Sequence, residues 1–156
     1  MQRRALALIA VFLAACGLPT PTPAETQPST SAVKELPEGT LLIYSREGGI
    51  AFTQTTLTLE TDGAVLLESS RESPKEWQAS ADQLASITAL LNDPGFADLP
   101  FDDVVACADC YVYTLHALTS QGVKSVKLDD ADLTHNPPIP FVRMLDLLAG
   151  LAASAP

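Results

Sequence analysis

The stretch "TQTTLTLETDGAVLLESS", Thr53 to Ser70, constrains the fold more than any other part of the chain. Leu57 and Leu59 alternate with Thr56, Thr58 and Glu60, a period of two that gathers apolar groups on one face of an extended strand. Asp62-Gly63 interrupts the pattern. That pair between alternating runs favours a tight type I′ turn, because both residues tolerate positive φ. The segment therefore predicts a hairpin of about Thr53–Thr61 with Ala64–Ser70. A second hairpin is predicted at "CYVYTLHALT", where Tyr111, Tyr113, Leu115 and Ala117 alternate with Val112, Thr114, His116 and Leu118. Ser120-Gln121-Gly122 then leads into "VKSVKLDD".

The remaining elements follow from local signals. "TLLIYSR", Thr40 to Arg46, reads as an opening strand that "EGGI" breaks. Ser80 and Gln83 form a capping-box pattern ahead of Leu84, Ile87 and Leu91, which share one helical face. This helix is expected to stop by Asn92, since Asp93-Pro94-Gly95 cannot continue it. Phe96, Leu99 and Phe101 read as a loop pinned to the core, and the segment with Pro74 and Trp77 reads as a polar connection. Pro140 suits the first turn of a last helix carrying Phe141, Leu145, Leu148 and Ala152 along one face. The order strand, hairpin, helix, hairpin, helix indicates an α+β fold. It comprises an antiparallel sheet of about five strands with two helices packed on one face. Thr53, Thr55, Thr56 and Thr58 are expected on the other, exposed face.

Ahead of this domain, Arg3 and Arg4 precede an apolar run from Ala5 to Ala15, the layout of a secretory signal. The run falls short of the roughly 20 apolar residues that a membrane span requires. Leu13-Ala14-Ala15-Cys16 resembles the lipobox of bacterial lipoproteins. The resemblance implies cleavage before Cys16 and acylation of its thiol and amino group, palmitate-like chains that would hold the protein on the outer side of a cell membrane. Residues 17–37 contain five prolines and few large apolar groups, and such a segment serves as a tether. The expected division is a signal peptide at 1–15, a lipidated tether at 16–38 and one domain at 39–156. Removing residues 1–15 takes two of the nine basic residues and none of the nineteen acidic ones, so the formal charge moves from −10 to −12. Nucleic acid is therefore excluded as an expected partner.

No nucleophile elbow, P-loop or dinucleotide-binding glycine motif occurs in the sequence. Neither His116, in mid-strand, nor His135, before Asn136-Pro137-Pro138, stands in a catalytic pattern. The reading is a non-enzymatic protein without cofactor or metal. Cys107-Ala108-Asp109-Cys110 admits a local disulfide, a redox dithiol or half of a zinc site. The histidines are nineteen residues apart, far from zinc-finger spacing, and the pair leads into a strand rather than a helix N-terminus. With Cys16 lipidated, the remaining even pair in an oxidising compartment favours the disulfide. The alternative function is a metal- or redox-active envelope lipoprotein using Cys107 and Cys110. Asp129, Asp130 and Asp132 lack EF-hand spacing and read as a solvated turn.

The segment "SREGGIAF" is the candidate partner-binding loop, formed by Arg46, Glu47, Gly48, Gly49, Ile50, Ala51 and Phe52. Adjacent glycines allow positive φ and close backbone approach, which suits a bulge or a loop that enters a partner's cleft. From Thr40 to Leu151 the chain resembles emfourin, a family of small protein inhibitors of thermolysin-like metallopeptidases. Gly48, Gly49 and Ala51 match the family's glycine loop, Asp109 and Tyr113 its later strand, and Asp129 and Pro140 the end of its sheet and the start of its last helix. The chain departs from the family with Phe52 where a further glycine is usual, and with Cys107, Cys110, the tether and the lipid anchor. The resemblance implies a rigid scaffold that presents Arg46–Phe52 to an extracellular metallopeptidase.

Overall fold

The computed structural model describes residues 35–99 and 109–156. The described elements all belong to one compact unit, Ala32–Pro156. Six strands are described: β1 Thr40–Gly48, β2 Thr53–Glu60, β3 Ala64–Ser69, β4 Lys75–Gln78, β5 Tyr111–Thr119 and β6 Gly122–Asp129. They form one antiparallel sheet in the order β4-β3-β2-β1-β5-β6. Four helices accompany them: α1 Ala81–Leu91, α2 Pro94–Ala97, α3 Asp130–His135 and α4 Ile139–Ala152.

Leucine alternation does what the pattern in β2 requires. Leu57 and Leu59 are buried, and they meet Leu42 of β1, Val65 of β3, and Leu115 and Ala117 of β5 in one core. Ile87, Leu90 and Leu91 of α1, with Phe141, Met144, Leu148 and Leu151 of α4, cover that face. By the same alternation Thr56, Thr58, Ser45, Thr114 and His116 lie on the opposite face. The four threonines of β2 therefore do not share an exposed face: Thr53 and Thr55 sit on the helix side. A run of threonines cannot be assigned to one face without regard to the pleat.

The architecture is α+β, with six described strands and four described helices where about five and two were expected. β4 was expected to be a polar connection because only Trp77 in it is apolar. Pairing of Glu76 with Leu66 and Trp77 with Val65 makes it an edge strand, and short charged strands are common at sheet edges. Asp93-Pro94-Gly95 does end α1, at Asn92, but it also starts α2. The Asp93 carboxylate accepts from Gly95 N at 2.8 Å and Pro94 occupies the first turn. Phe96 of that short helix is completely buried, while Phe101 lies outside the described residues.

The first hairpin turn also differs from expectation. A type I′ turn needs positive φ at both central residues, and only Gly63 has it, at 92°. Thr61, Asp62 and Gly63 instead form a three-residue connection in which Gly63 N donates to Glu60 O at 3.0 Å. The Asp62 carboxylate accepts from Ala64 N at 2.9 Å, an Asx interaction within the turn.

Candidate functional site

At Gly48↔Thr53 the β1–β2 ladder closes on a four-residue connection, Gly49 to Phe52. Gly48 has φ 121° and Gly49 φ 71°. A Cβ on Gly48 would lie 2.1 Å from Cys110 O, and one on Gly49 would lie 2.7 Å from Cζ of Tyr111, so both positions need glycine for space as well as torsion. Gly49 N donates to Cys110 O at 3.1 Å, and Phe52 N donates to Gly49 O at 3.0 Å. The loop's base is thus pinned to the backbone that leads into β5.

The tip is a different environment. Ile50 is 85% exposed and Phe52 83% exposed. Phe52 is also the only described non-glycine residue with positive φ, at 45°, a conformation that costs a bulky L residue about 1–2 kcal/mol. It stands where the emfourin resemblance expects another glycine. The pleat sends Arg46 to the helix side of β1 and Glu47 to the opposite side, so the seven candidate residues divide into a tip, a base and two flanks. Ile50, Ala51 and Phe52 form the tip, Gly48 and Gly49 the base.

Tyrosines and an aspartate brace the base. The Arg46 guanidinium lies 3.6 Å from the centre of the Tyr111 ring and 5.9 Å from that of Tyr113, a cation–π arrangement. Arg46 makes no ion pair among the described residues. Asp130 accepts from Tyr111 N at 2.8 Å through one oxygen and from the Tyr113 hydroxyl at 2.8 Å through the other. Thr53 Oγ1 lies 3.4 Å from both Gly48 O and the Tyr111 hydroxyl. Burial, joined by the Asp130 hydrogen bond and charge, pushes the Tyr113 phenol up from 10.0 to about 12, against a smaller opposing pull from Arg46. Burial likewise raises Tyr44, again opposed by Arg46.

The acidic cluster is no solvated turn. Asp129 caps α3, accepting from Ala131 N at 2.8 Å and Asp132 N at 2.9 Å, and Asp132 accepts from Asp129 N at 3.0 Å. Each aspartate satisfies backbone or tyrosine donors, so the cluster positions β5 against β6. Tyr111, Tyr113 and Asp130 therefore belong to the loop's support. Sequence periodicity placed the tyrosines only on one face of a strand, and no spacing signal ties them to a loop more than fifty residues away.

Cys110 is disulfide-bonded, and its carbonyl is the acceptor that holds Gly49. Cys107 and Cys16, with the whole lipobox, lie outside the described residues. A disulfide sulfur is no thiolate ligand, and among the described residues no three His, Cys, Asp or Glu side chains are placed to hold a metal ion. His116 Nδ1 lies 2.7 Å from Ser125 Oγ on the open face, and His135 Nδ1 lies 2.9 Å from Ala131 O at the end of α3. Neither reaches the loop's hydrogen-bonded base. No described helix is long and apolar enough to cross a membrane. Neither the family models nor the curated proteins include a match to this chain.

Proposed function

We propose that this chain is a lipid-anchored cell-envelope protein whose domain binds another protein through the Arg46–Phe52 loop and inhibits an extracellular metallopeptidase. The observation that carries the reading is the pairing of two nearly fully exposed apolar side chains, Ile50 and Phe52, with a rigid base. Exposed apolar groups of this size are anchors when a scaffold holds them still, because little entropy is then lost on docking. A left-handed Phe52 adds to this, since backbone strain of that kind persists where the fold over-determines it and gathers at binding sites. The partner class comes from the emfourin resemblance, which places the glycine loop at the same point. Cys16 supplies the anchor, and the proline-rich segment after it supplies reach.

The test uses residues 32–156, which contain every described core residue, with a thermal melt to establish folding. The parent should capture a metallopeptidase from the native envelope and suppress its activity in proportion to occupancy. Ile50→Asp/Phe52→Asp should do neither while melting at the parent's temperature. Undiminished peptidase activity at saturating parent domain would remove the inhibitory function, and equal capture by the folded double variant would remove the loop as its site. The anchor is tested separately, by palmitate labelling and fractionation of Cys16→Ser cells. Loss of label and release from the membrane are expected.

A further inference from the structure

Between the helix-side face of the sheet and α4 lies an open cleft of about 360 Å³, within the lower range of small-molecule sites. Leu57, Leu67, Leu145 and Leu148 supply its apolar lining, and Tyr44, Arg46, Thr55 and Tyr113 its polar lining; on the sheet Tyr44 stands across from Leu57 and Arg46 across from Thr55. The four polar groups are not equivalent. Tyr113 donates its proton to Asp130 and so faces the cleft already satisfied. Among the described residues Arg46 has no carboxylate partner, and neither the half-buried Tyr44 hydroxyl nor the Thr55 hydroxyl has a hydrogen-bond partner. The unspent capacity of the cleft is thus centred on a planar guanidinium held by ring stacking, with the Tyr44 and Thr55 hydroxyls in the same lining able to donate.

We propose that this cleft binds a small amphipathic monocarboxylate, a medium-chain fatty acid. The carboxylate takes the Arg46 edge and the Tyr44 hydroxyl, and the chain lies along Leu57, Leu145 and Leu148. One guanidinium fork matches the two oxygens of one carboxylate. A dianionic phosphate would find no second cation in the lining. A cationic amphiphile would meet Arg46 head-on. The strongly acidic composition gives no general attraction for anions, so selectivity for a carboxylate rests on Arg46 itself. Tyr111 keeps the guanidinium fixed before the ligand arrives, which limits the ordering cost of binding. The site shares Arg46 with the flank of the loop but needs neither the loop's partner nor the lipid anchor, and failure to bind the carboxylate would leave Ile50 and Phe52 as the loop's anchors.

The test titrates folded residues 32–156 with sodium decanoate below its micellar range, following amide and Arg46 side-chain resonances, with decanol as the uncharged control. Decanoate should shift Tyr44, Arg46, Leu145 and Leu148 saturably and bind at least about tenfold more tightly than decanol, the factor carried by about 1.4 kcal/mol. Arg46→Gln should bring decanoate down to the level of decanol without changing decanol itself. Tyr44→Phe should weaken decanoate by a smaller factor, and Ala149→Phe, at the rim of the cleft, should block both ligands. Absence of saturable shifts in the parent, shifts centred elsewhere, or equal decanoate binding by parent and Arg46→Gln would each overturn the proposal. Should Arg46→Gln fail to fold, unchanged decanoate affinity in Tyr44→Phe together with equal binding of decanol and decanoate by the parent would do the same.

Discussion

Phe52 carries two opposed requirements on one residue. Its left-handed backbone is costly and its ring is solvated, so Phe52→Gly should raise stability by about 0.5–1 kcal/mol after the greater chain entropy of glycine is subtracted. The same change should weaken partner capture, and denaturant melts beside capture assays will show whether the two effects separate. Gly48→Ala should act in the other direction, since its Cβ would collide with Cys110 O. A loss of at least about 2 kcal/mol in denaturant melts is expected, from strain at a positive-φ position and a broken contact. Tyr113 sets a pH dependence of known sign. Its folded pKa of about 12 exceeds the unfolded 10.0, so the folded state holds the proton more tightly. This contribution is complete below pH 10 and is lost as pH rises from 10 towards 12. Tyr113→Phe should flatten the fall in melting temperature over that window.

Helix caps were legible because they are local. Ser80 and Gln83 announce α1, and both capping-box bonds form, Gln83 N to Ser80 Oγ at 3.2 Å and Ser80 N to Gln83 Oε1 at 2.9 Å. α3 hides the same device behind three aspartates, since Asp129 and Asp132 make a capping box with a carboxylate at each end. A stretch that reads as solvated charge is in fact spent on backbone N–H groups. Asp129→Ala should cost about 1 kcal/mol, the ordinary value of an N-cap. It should also speed hydrogen exchange at the Tyr111 amide, because Asp130, the first residue of α3, accepts from that amide. α2 escaped notice because a proline after a helix reads as a stop, whereas Pro94 at a first turn is equally a start.

On the scale of the whole molecule, no described core residue lies before Leu41. Deleting residues 1–31 should therefore leave the melting temperature unchanged within about 1 °C, since the described core is complete without them. Calorimetry of the two forms checks this. Period-two alternation, one capping box and a proline-led last helix determined by themselves that the chain makes an antiparallel sheet with helices on one side, because face assignment depends only on neighbours two to four residues apart. The glycine loop was legible for a similar reason, as adjacent glycines mark backbone that side chains cannot occupy. Tertiary structure alone decided that Cys110, Tyr111 and Asp130 brace that loop and that β4 joins the edge. It alone decided, too, that Arg46 and Tyr44 meet Leu145 and Leu148 of α4 across a cleft. The partners at the loop and the cleft lie roughly twenty to a hundred residues apart in the chain, beyond the reach of any local pattern, whereas β4 pairs with its sequence neighbour β3 and is hidden only by its lack of apolar residues.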